Sequence, residues 1–332
     1  MKNKGVKVIL IIILALIIIA LVNVMIYEII HKDNQVKLSF IAFGDHTEKI
    51  FEKEYQPEEV DNINVDVSSS NVKIEKVDTD KVKVIAYGDK DEKVKEEINE
   101  KELSITKEKT KIFMIAMFYW CHEEIVIQVP NDYEATFKVH TASGDICATN
   151  LENHTIDFES TSGKIECGNI HKGTLKSTSG NVRVGNGNEV TLQATSGKLQ
   201  AGNFDKLSAK TSSGSVEVGT IEEGTIHTTS GKIMMESAKR IQAETSSGGI
   251  KINKIEEYCQ LQTNSGSIAV NNLNIIENSS INTKSGNVTI KEKNDIYVEI
   301  STKSGNSNIK NNNRKSDIIL NINTTSGNIY VD

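Results

Sequence analysis

Proline, cysteine and aromatic residues are all scarce in this sequence of 332 residues. The two prolines, Pro57 and Pro130, exclude a proline-rich linker between domains. The cysteines are Cys121, Cys147, Cys167 and Cys259. They form no CxxC pair and show no metal-ligand spacing, which argues against a cysteine-based metal centre. The net charge of -7 argues against a nucleic-acid partner.

An uninterrupted apolar run extends from Val8 to Val22 and continues, with Asn23 as the one polar break, to Tyr27. About twenty helical residues span roughly 30 Å, which is the thickness of a bilayer core. No small-x-small cleavage site follows the run, as a secretory signal peptide would require. The sequence therefore predicts a transmembrane signal anchor over residues 8–27.

The charges that flank this run predict its orientation. Lys2, Lys4 and Lys7 precede the run, whereas the charges that follow it nearly cancel. The positive-inside rule places residues 1–7 in the cytoplasm as a short tail and the C-terminal part outside the cell. We expect a single-pass protein of the cell membrane with an extracellular domain, and the polar residues 28–60 are predicted to form a stalk.

A Ser-Gly pair recurs at a nearly fixed spacing through the rest of the chain. The glycines of these pairs are Gly144, Gly163, Gly180, Gly197, Gly214, Gly231, Gly248, Gly266, Gly286, Gly305 and Gly327. Five of the ten successive gaps are 17 residues, and the others range from 18 to 22 residues. A period of this length is typical of a solenoid, in which each unit stacks on its neighbours.

Each unit alternates apolar and polar residues around its glycine. Apolar side chains recur two residues after the glycine and five before it, and threonine or serine stands three before it. This period of two indicates β-strands. We predict an all-β fold, a β-solenoid of about 17-residue T-S-G-x-I-x-V rungs, regular over 141–332 and irregular over 61–140. The glycines are predicted to occupy corners that need positive φ.

Two early segments depart from the regular pattern. Residues 68–74 resemble a later corner with Asn71 in place of glycine. Residues 112–120 form a dense apolar run that contains the single tryptophan; its aromatic residues are Phe113, Phe118, Tyr119 and Trp120. One interpretation is a buried strand pair that closes the membrane-proximal end of the rod. The alternative is an exposed lip that contacts lipid or a membrane partner.

Catalytic and metal-binding chemistry finds little support in the repeats. The aspartates fall at different phases, and Glu166 and Glu217 share a phase that intervening units fill with Arg183 and Gln200. His154 and His171, 17 residues apart, could be neighbours, but two histidines are fewer ligands than a zinc site needs. Cys147 and Cys167 are expected to face opposite ways as free thiols. No catalytic, cofactor-binding or metal site is predicted.

A membrane anchor followed by an irregular segment and many T-S-G-x-I-x-V units resembles the bacterial DUF4097 family of adhesin-like domains. The resemblance covers roughly residues 60–332, and its specificity comes from repeat number and phase. It implies a β-solenoid in the cell envelope without an agreed catalytic motif. Some anchored members resemble the LiaG-like proteins associated with envelope-stress systems in Gram-positive bacteria.

These observations favour a non-enzymatic extracellular rod for recognition, adhesion or scaffolding at the cell envelope. A wall glycan is one expected partner, bound by many weak contacts along the polar ladders. The alternative is an accessory or regulatory role in an envelope-stress response, through a membrane sensor protein. A carbohydrate-active β-helix enzyme is a third reading, which the scattered aspartates oppose.

Overall fold

The computed structural model of the protein describes the backbone of residues 37–39, 44–45, 47–108, 112–114 and 119–332. Apart from a short 3-10 helix at Pro57–Glu59, the regular structure in these ranges is β-strand. Among the described residues, none belongs to a helix of the length and hydrophobicity that a membrane crossing requires. The predicted anchor at 8–27 lies outside the described residues.

The strands fall into an N-terminal part, a regular middle and a C-terminal part. The N-terminal strands are β1 (Lys37–Ser39), β2 (Gly44–Asp45), β3 (Glu48–Tyr55), β4 (Asn62–Val67), β5 (Asn71–Val77), β6 (Val82–Gly88), β7 (Lys93–Asn99), β8 (Glu102–Glu108), β9 (Ile112–Met114), β10 (Tyr119–Trp120) and β11 (Glu124–Pro130). The regular strands are β12 (Thr136–Thr141), β13 (Ile146–Ala148), β14 (Leu151–Ser160), β15 (Ile165–Cys167), β16 (Ile170–Ser177), β17 (Val182–Val184), β18 (Gly187–Ala194), β19 (Leu199–Ala201), β20 (Phe204–Thr211), β21 (Val216–Thr228), β22 (Ile233–Thr245), β23 (Ile250–Thr263), β24 (Ile268–Leu273), β25 (Ser279–Ser285) and β26 (Val288–Lys293). The C-terminal strands are β27 (Tyr297–Ser304), β28 (Ser307–Ile309), β29 (Ile319–Ser326) and β30 (Ile329–Val331).

The regular strands form two parallel ladders, as the repeat predicts. Strands before the Ser-Gly corner pair with their equivalents one rung away, so that Leu175 lies opposite Leu192. Strands after the corner do the same, and Val182 lies opposite Leu199. Alternate side chains point inward, and Ile, Val and Leu fill the core together with Phe137 and Phe158. The predicted all-β solenoid is confirmed.

Strand order at the N-terminal end does not follow the sequence. The rung made by β4 and β5 is sandwiched: Ile63 pairs with Leu103 of β8 on one side and with Phe137 of β12 on the other. In the same way β5 lies between β11 and β13. Along the sequence, β4 and β5 therefore form the second rung, β8 and β11 then form the first rung, and β12 and β13 form the third.

Antiparallel strands cover the first rung. Strand β6 pairs with β11 and with β3, and β7 pairs with β8. Residues 48–60, which the sequence assigns to a stalk, therefore belong to the folded domain. The reason is burial: Tyr55 and Val60 are 3% and 0% exposed, so they contribute to the core. The cap at this end consists of β3, β6 and β7.

The strands of the aromatic segment, residues 112–120, pair outside the sheet that forms the solenoid. Strand β9 pairs in parallel with β1, and β10 pairs in parallel with β2. Both are separate two-stranded sheets, apart from the large sheet that carries the solenoid. Phe118 lies outside the described residues, and for Phe113, Tyr119 and Trp120 the structure describes only the backbone.

At the C-terminal end, as at the N-terminal end, the order of the rungs differs from the order of the repeats in the sequence. Strand β29 pairs with β25 on one side and with β27 on the other, and β30 lies between β26 and β28. The last strands of the sequence thus form the penultimate rung. The outermost rung is made by β27 and β28, so the solenoid's end rung lies at 297–309 and not at the last repeat of the sequence.

Candidate functional site

The Ser-Gly corners stack so closely that only glycine fits. A Cβ on Gly197 would lie 1.8 Å from the carbonyl oxygen of Gly180, and a Cβ on Gly248 would lie 1.7 Å from that of Gly231. The same collision recurs at each predicted corner glycine. The predicted reason, positive φ, is wrong for all but Gly305, whose φ is 148°. Glycine is required because the backbones of successive rungs touch.

The threonine or serine three residues before each glycine links neighbouring rungs. The hydroxyl of Thr245 accepts a hydrogen bond from the Gly248 N–H and donates one to the Gly231 carbonyl, both at 3.1 Å. Thr228 makes the equivalent bonds to Gly231 and Gly214. These side chains are at most 5% exposed in most rungs. The threonine column therefore satisfies buried backbone groups and is a structural element.

The column of corners begins at Ser70, since Val72 pairs with Ile146 and places Ser70 beside Gly144. The prediction that Asn71 replaces the glycine is therefore wrong by one position. The Ser70 hydroxyl donates a hydrogen bond to the Glu123 carboxylate at 3.1 Å. Lys107 also contacts Glu123, at 3.0 Å. Although burial alone would raise the pKa of Glu123, its hydrogen bond with Lys107 brings the net pKa below its usual range.

A second corner carries a column of asparagines that the sequence reasoning missed. The Asn169 side-chain oxygen accepts the backbone N–H of Asn186 at 2.9 Å, and the Asn186 oxygen accepts that of Asn203 at 2.8 Å. Each asparagine stands six residues after a corner glycine, and a further glycine precedes it, as Gly185 precedes Asn186. This constant offset was the available signal. The column fixes the second turn of each rung.

The outer surface of the solenoid differs sharply between its sides. On the side that follows the asparagine corner, charges alternate from rung to rung and neutralise each other. Lys172 pairs with Glu189 at 2.8 Å, Lys239 pairs with Glu222, and Arg240 binds Glu277 at 2.6 Å. Each of these pairs neutralises charge that this side could otherwise offer a ligand.

On the strands before the Ser-Gly corner, one column of outward side chains carries no formal charge. We call this the neutral column; its members are Thr174, Thr191, Ser208, Thr225, Gln242, Gln260, Ser280 and Asn321. They occupy consecutive rungs, about 4.8 Å apart. Within the described residues, no hydrogen bond joins one member to the next, and the Gln260 side chain accepts one from the Tyr258 hydroxyl at 3.3 Å. Ser208, Thr225, Gln242 and Gln260 are exposed, and the other members are partly exposed.

A second outward column runs parallel to the neutral column on the same face. Its members over the same rungs are Lys176, Gln193, Lys210, His227, Glu244, Gln262, Asn282 and Asn323. The two columns together offer hydroxyl, amide and a few charged groups in a regular lattice. The neutral column ends at charged residues, with Asp157 before Thr174 and Glu299 beyond Asn321. This face is the candidate functional site.

The two glutamates that share a repeat phase are not neighbours. Glu166 and Glu217 lie in one column but are separated by Arg183 and Gln200, as the sequence indicates. In the part of the chain that the structure describes, no three histidine, cysteine, aspartate or glutamate side chains converge as metal ligands would.

The histidine pair divides between core and surface. His171 is exposed and hydrogen-bonds Asn188 at 3.1 Å, whereas His154 is fully buried. Neither ring nitrogen of His154 has a hydrogen-bond partner, and the ring packs 5.2 Å from that of Phe137. Burial lowers the pKa of His154 to about 4. His154 is therefore a neutral core residue.

The cysteines of the regular repeats remain free thiols. Cys147 lies opposite Glu166 on the outer side, and Cys167 points into the core, where burial raises its pKa to about 12. Burial also raises the pKa of the half-buried Cys147 thiol. These thiols are therefore protonated and poor nucleophiles at neutral pH.

Comparison with known proteins identifies a family. The Toastrack DUF4097 model matches residues 60–235 and 185–332. No curated protein matches the sequence.

Several solved structures are similar to this chain. A candidate adhesin from Bacteroides fragilis NCTC 9343 is 15% identical, with 87% of this chain and 100% of that chain covered and a TM-score of 0.34. A candidate adhesin from Parabacteroides distasonis ATCC 8503 is 13% identical, with 89% and 100% covered and a TM-score of 0.38. A candidate lipid-binding protein from the same strain is 18% identical, with 87% and 100% covered and a TM-score of 0.35.

Proposed function

Because the chain belongs to the Toastrack DUF4097 family, we propose that it is a non-enzymatic rod that recognises an extended, repeating polymer. The rod is anchored in the cell membrane by residues 8–27 and displays its solenoid at the outer side of the envelope. The polymer we favour is a wall glycan. The observation that supports this proposal is the neutral column.

The chemistry of the neutral column suits a polysaccharide. Hydroxyl and amide side chains both donate and accept hydrogen bonds, as sugar hydroxyl and acetamido groups do. An extended β-linked glycan presents such groups at a spacing comparable with that of the rungs. One hydrogen bond contributes only about 1 kcal/mol net, so a single sugar would bind weakly. Repetition over successive rungs turns weak contacts into useful affinity.

The absence of charge along the column also matters for the choice of polymer. A strongly anionic polymer would be expected to select lysine or arginine at these positions. The nearby lysines, Lys176 and Lys210, lie at one end of the second column, and Glu244 lies among its later members. The face therefore favours a neutral or weakly charged chain.

A second candidate function is engagement of a membrane partner by residues 112–120. Strands β9 and β10 pair with β1 and β2, which are the first described strands after the predicted anchor in the sequence. This pairing supports a position of the aromatic segment near the membrane surface. In this alternative the protein acts as an accessory of an envelope-stress sensor, and the solenoid serves as its scaffold.

Sedimentation separates the two functions. The full chain in detergent is mixed with isolated wall sacculi, or reconstituted with membranes stripped of wall. Wall recognition predicts saturable pelleting with sacculi that is lost in Thr225→Lys/Gln242→Lys and retained in Trp120→Ala. Absence of pelleting with sacculi contradicts the wall-binding proposal. Crosslinking to a membrane protein that requires Trp120 supports the alternative.

A further inference from the structure

The outermost rung of the C-terminal end has an unpartnered strand edge. Strand β27 pairs with β29 on one side. On the opposite side, the side chain of Asn312 bonds both the N–H and the carbonyl of Val298, at 2.8 and 3.0 Å. Because backbone groups of alternate residues point the same way, those of Ile300 and Thr302 also face this open edge. Within the described residues, no strand pairs with them there.

The apolar side chains of this outermost rung are also incompletely buried. Ile300 and Ile309 are only partly buried, whereas the equivalent apolar residues of inner rungs, such as Ile281 and Ile290, are 0% and 1% exposed. The Thr302 hydroxyl is buried without a hydrogen-bond partner. An additional strand would bury the apolar side chains and satisfy the edge.

The sequence of β27 is complementary to itself in the antiparallel direction. With a two-fold axis at Ser301, Glu299 lies opposite Lys303 of a second copy, and this pair occurs twice. In the same register Ile300 lies opposite Thr302, and both have the outward backbone groups that a hydrogen-bonded antiparallel pair requires. The charge pairs and the direction of the backbone hydrogen-bonding groups therefore favour the same register, with Ser301 opposite Ser301.

We propose that a second copy of this chain docks on the open edge, with residues 299–303 of the two copies paired antiparallel. Asn312 occupies the edge beside Val298 and so ends the paired stretch. A rung end is small, and the dimer is expected to be weak by comparison with standard interfaces. If the anchor holds the opposite end of the rod, this tail-to-tail contact joins rods on facing surfaces.

A cysteine on the two-fold axis tests the contact. In this register Ser301 faces Ser301 of the second copy in a non-hydrogen-bonded pair, where Cα atoms are about 4.5 Å apart and a disulfide can form. The full chain carrying Ser301→Cys, oxidised in detergent with copper phenanthroline, is expected to give a covalent dimer. Asn323→Cys, in the same column one rung inward, is the matched control and, like the parent chain, is expected to form no covalent dimer.

Charge reversal tests the register independently. Glu299→Lys and Lys303→Glu, each in the Ser301→Cys chain, are expected to slow dimer formation by about fivefold because like charges then face each other. The double variant Glu299→Lys/Lys303→Glu is expected to restore the parent rate. Folding of each variant is checked by circular dichroism. A folded Ser301→Cys chain that stays monomeric, equal crosslinking of Asn323→Cys, or no rescue by the double variant would overturn the proposal.

Discussion

Thr283 pairs in register with Thr324, which follows it by 41 residues, and not with Thr302 of the next repeat in sequence. Thr302 instead pairs with the other side of Thr324. The last repeat of the sequence is therefore inserted between the two that precede it. A matching insertion places β4 and β5 between the first and third rungs. The rung of β4 and β5 and the last repeat in the sequence are thus each paired with strands on two sides.

Paired cysteines distinguish this inserted order from a sequential one. Asn282 and Asn323 are adjacent, with a hydrogen bond of 3.0 Å between their side chains, so Asn282→Cys/Asn323→Cys is expected to form an internal disulfide. Asn282 and Ser301 are two rungs apart, about 9.6 Å, so Asn282→Cys/Ser301→Cys is expected to form no disulfide between these two positions within one chain. Mass spectrometry of oxidised, non-reduced digests measures both. The reverse outcome would establish sequential stacking.

The adjacent glycines Gly248 and Gly249 provide a matched test of corner stacking. A Cβ on Gly248 meets the Gly231 carbonyl oxygen at 1.7 Å, whereas a Cβ on Gly249 meets only the Ser267 oxygen at 3.2 Å. Gly248→Ala is expected to destabilise the fold by at least about 3 kcal/mol because backbone must move. Gly249→Ala is expected to change stability by less than about 1 kcal/mol. Urea unfolding measures both, and similar losses would refute the contact argument.

The buried hydroxyl column is tested by Thr245→Val, which keeps the side-chain shape and removes both hydrogen bonds to Gly231 and Gly248. Two buried backbone groups then lack partners, and the expected cost is about 1–3 kcal/mol. Thr245→Ser retains the hydroxyl and should recover most of that loss. Thr229→Val, at an exposed corner position, is the control. If Thr245→Val leaves the free energy of unfolding unchanged, the hydrogen bonds of the threonine column do not contribute to stability.

His154 makes stability depend on pH in a defined window. Its pKa is lowered from 6.5 to about 4 by burial, so the unfolded chain binds a proton that the folded chain does not. Stability from this residue is complete above pH 6.5 and falls as the pH drops towards 4, by up to about 3 kcal/mol. His154→Leu should remove this component, and His171→Leu should leave it intact. An unchanged pH profile in His154→Leu would contradict it.

The regular rungs could be predicted from the sequence because their determinants are local. Inward positions such as Leu175 and Val182 alternate with polar residues, and the corner spacing fixes their register. The end rungs could not be ordered this way. Thr302 and Thr324 stand in similar motifs, so either fits beside Thr283. One local difference was available, because Ser307 stands two residues after Gly305 where Ile329 stands two after Gly327. The order depends on long-range packing.

The candidate site was predictable only in outline. The outward positions were expected to be polar, but an uncharged column appears only after register sets residues such as Thr191 and Gln260 on one line. The asparagine column was visible as a constant offset. The burial of His154 could not be predicted from the sequence, because it results from a two-residue register shift between Leu151 and Thr155.

Binding of wall glycan fragments of increasing length, measured by titration calorimetry on the full chain in detergent, tests the central claim directly. If the neutral column from Thr174 to Asn321 reads an extended polymer, affinity rises with each added disaccharide and stops rising once the fragment covers the column. Thr225→Lys/Gln242→Lys, in the middle of the column, should shorten the length at which affinity levels off. No measurable binding, or an affinity independent of fragment length, would contradict the account.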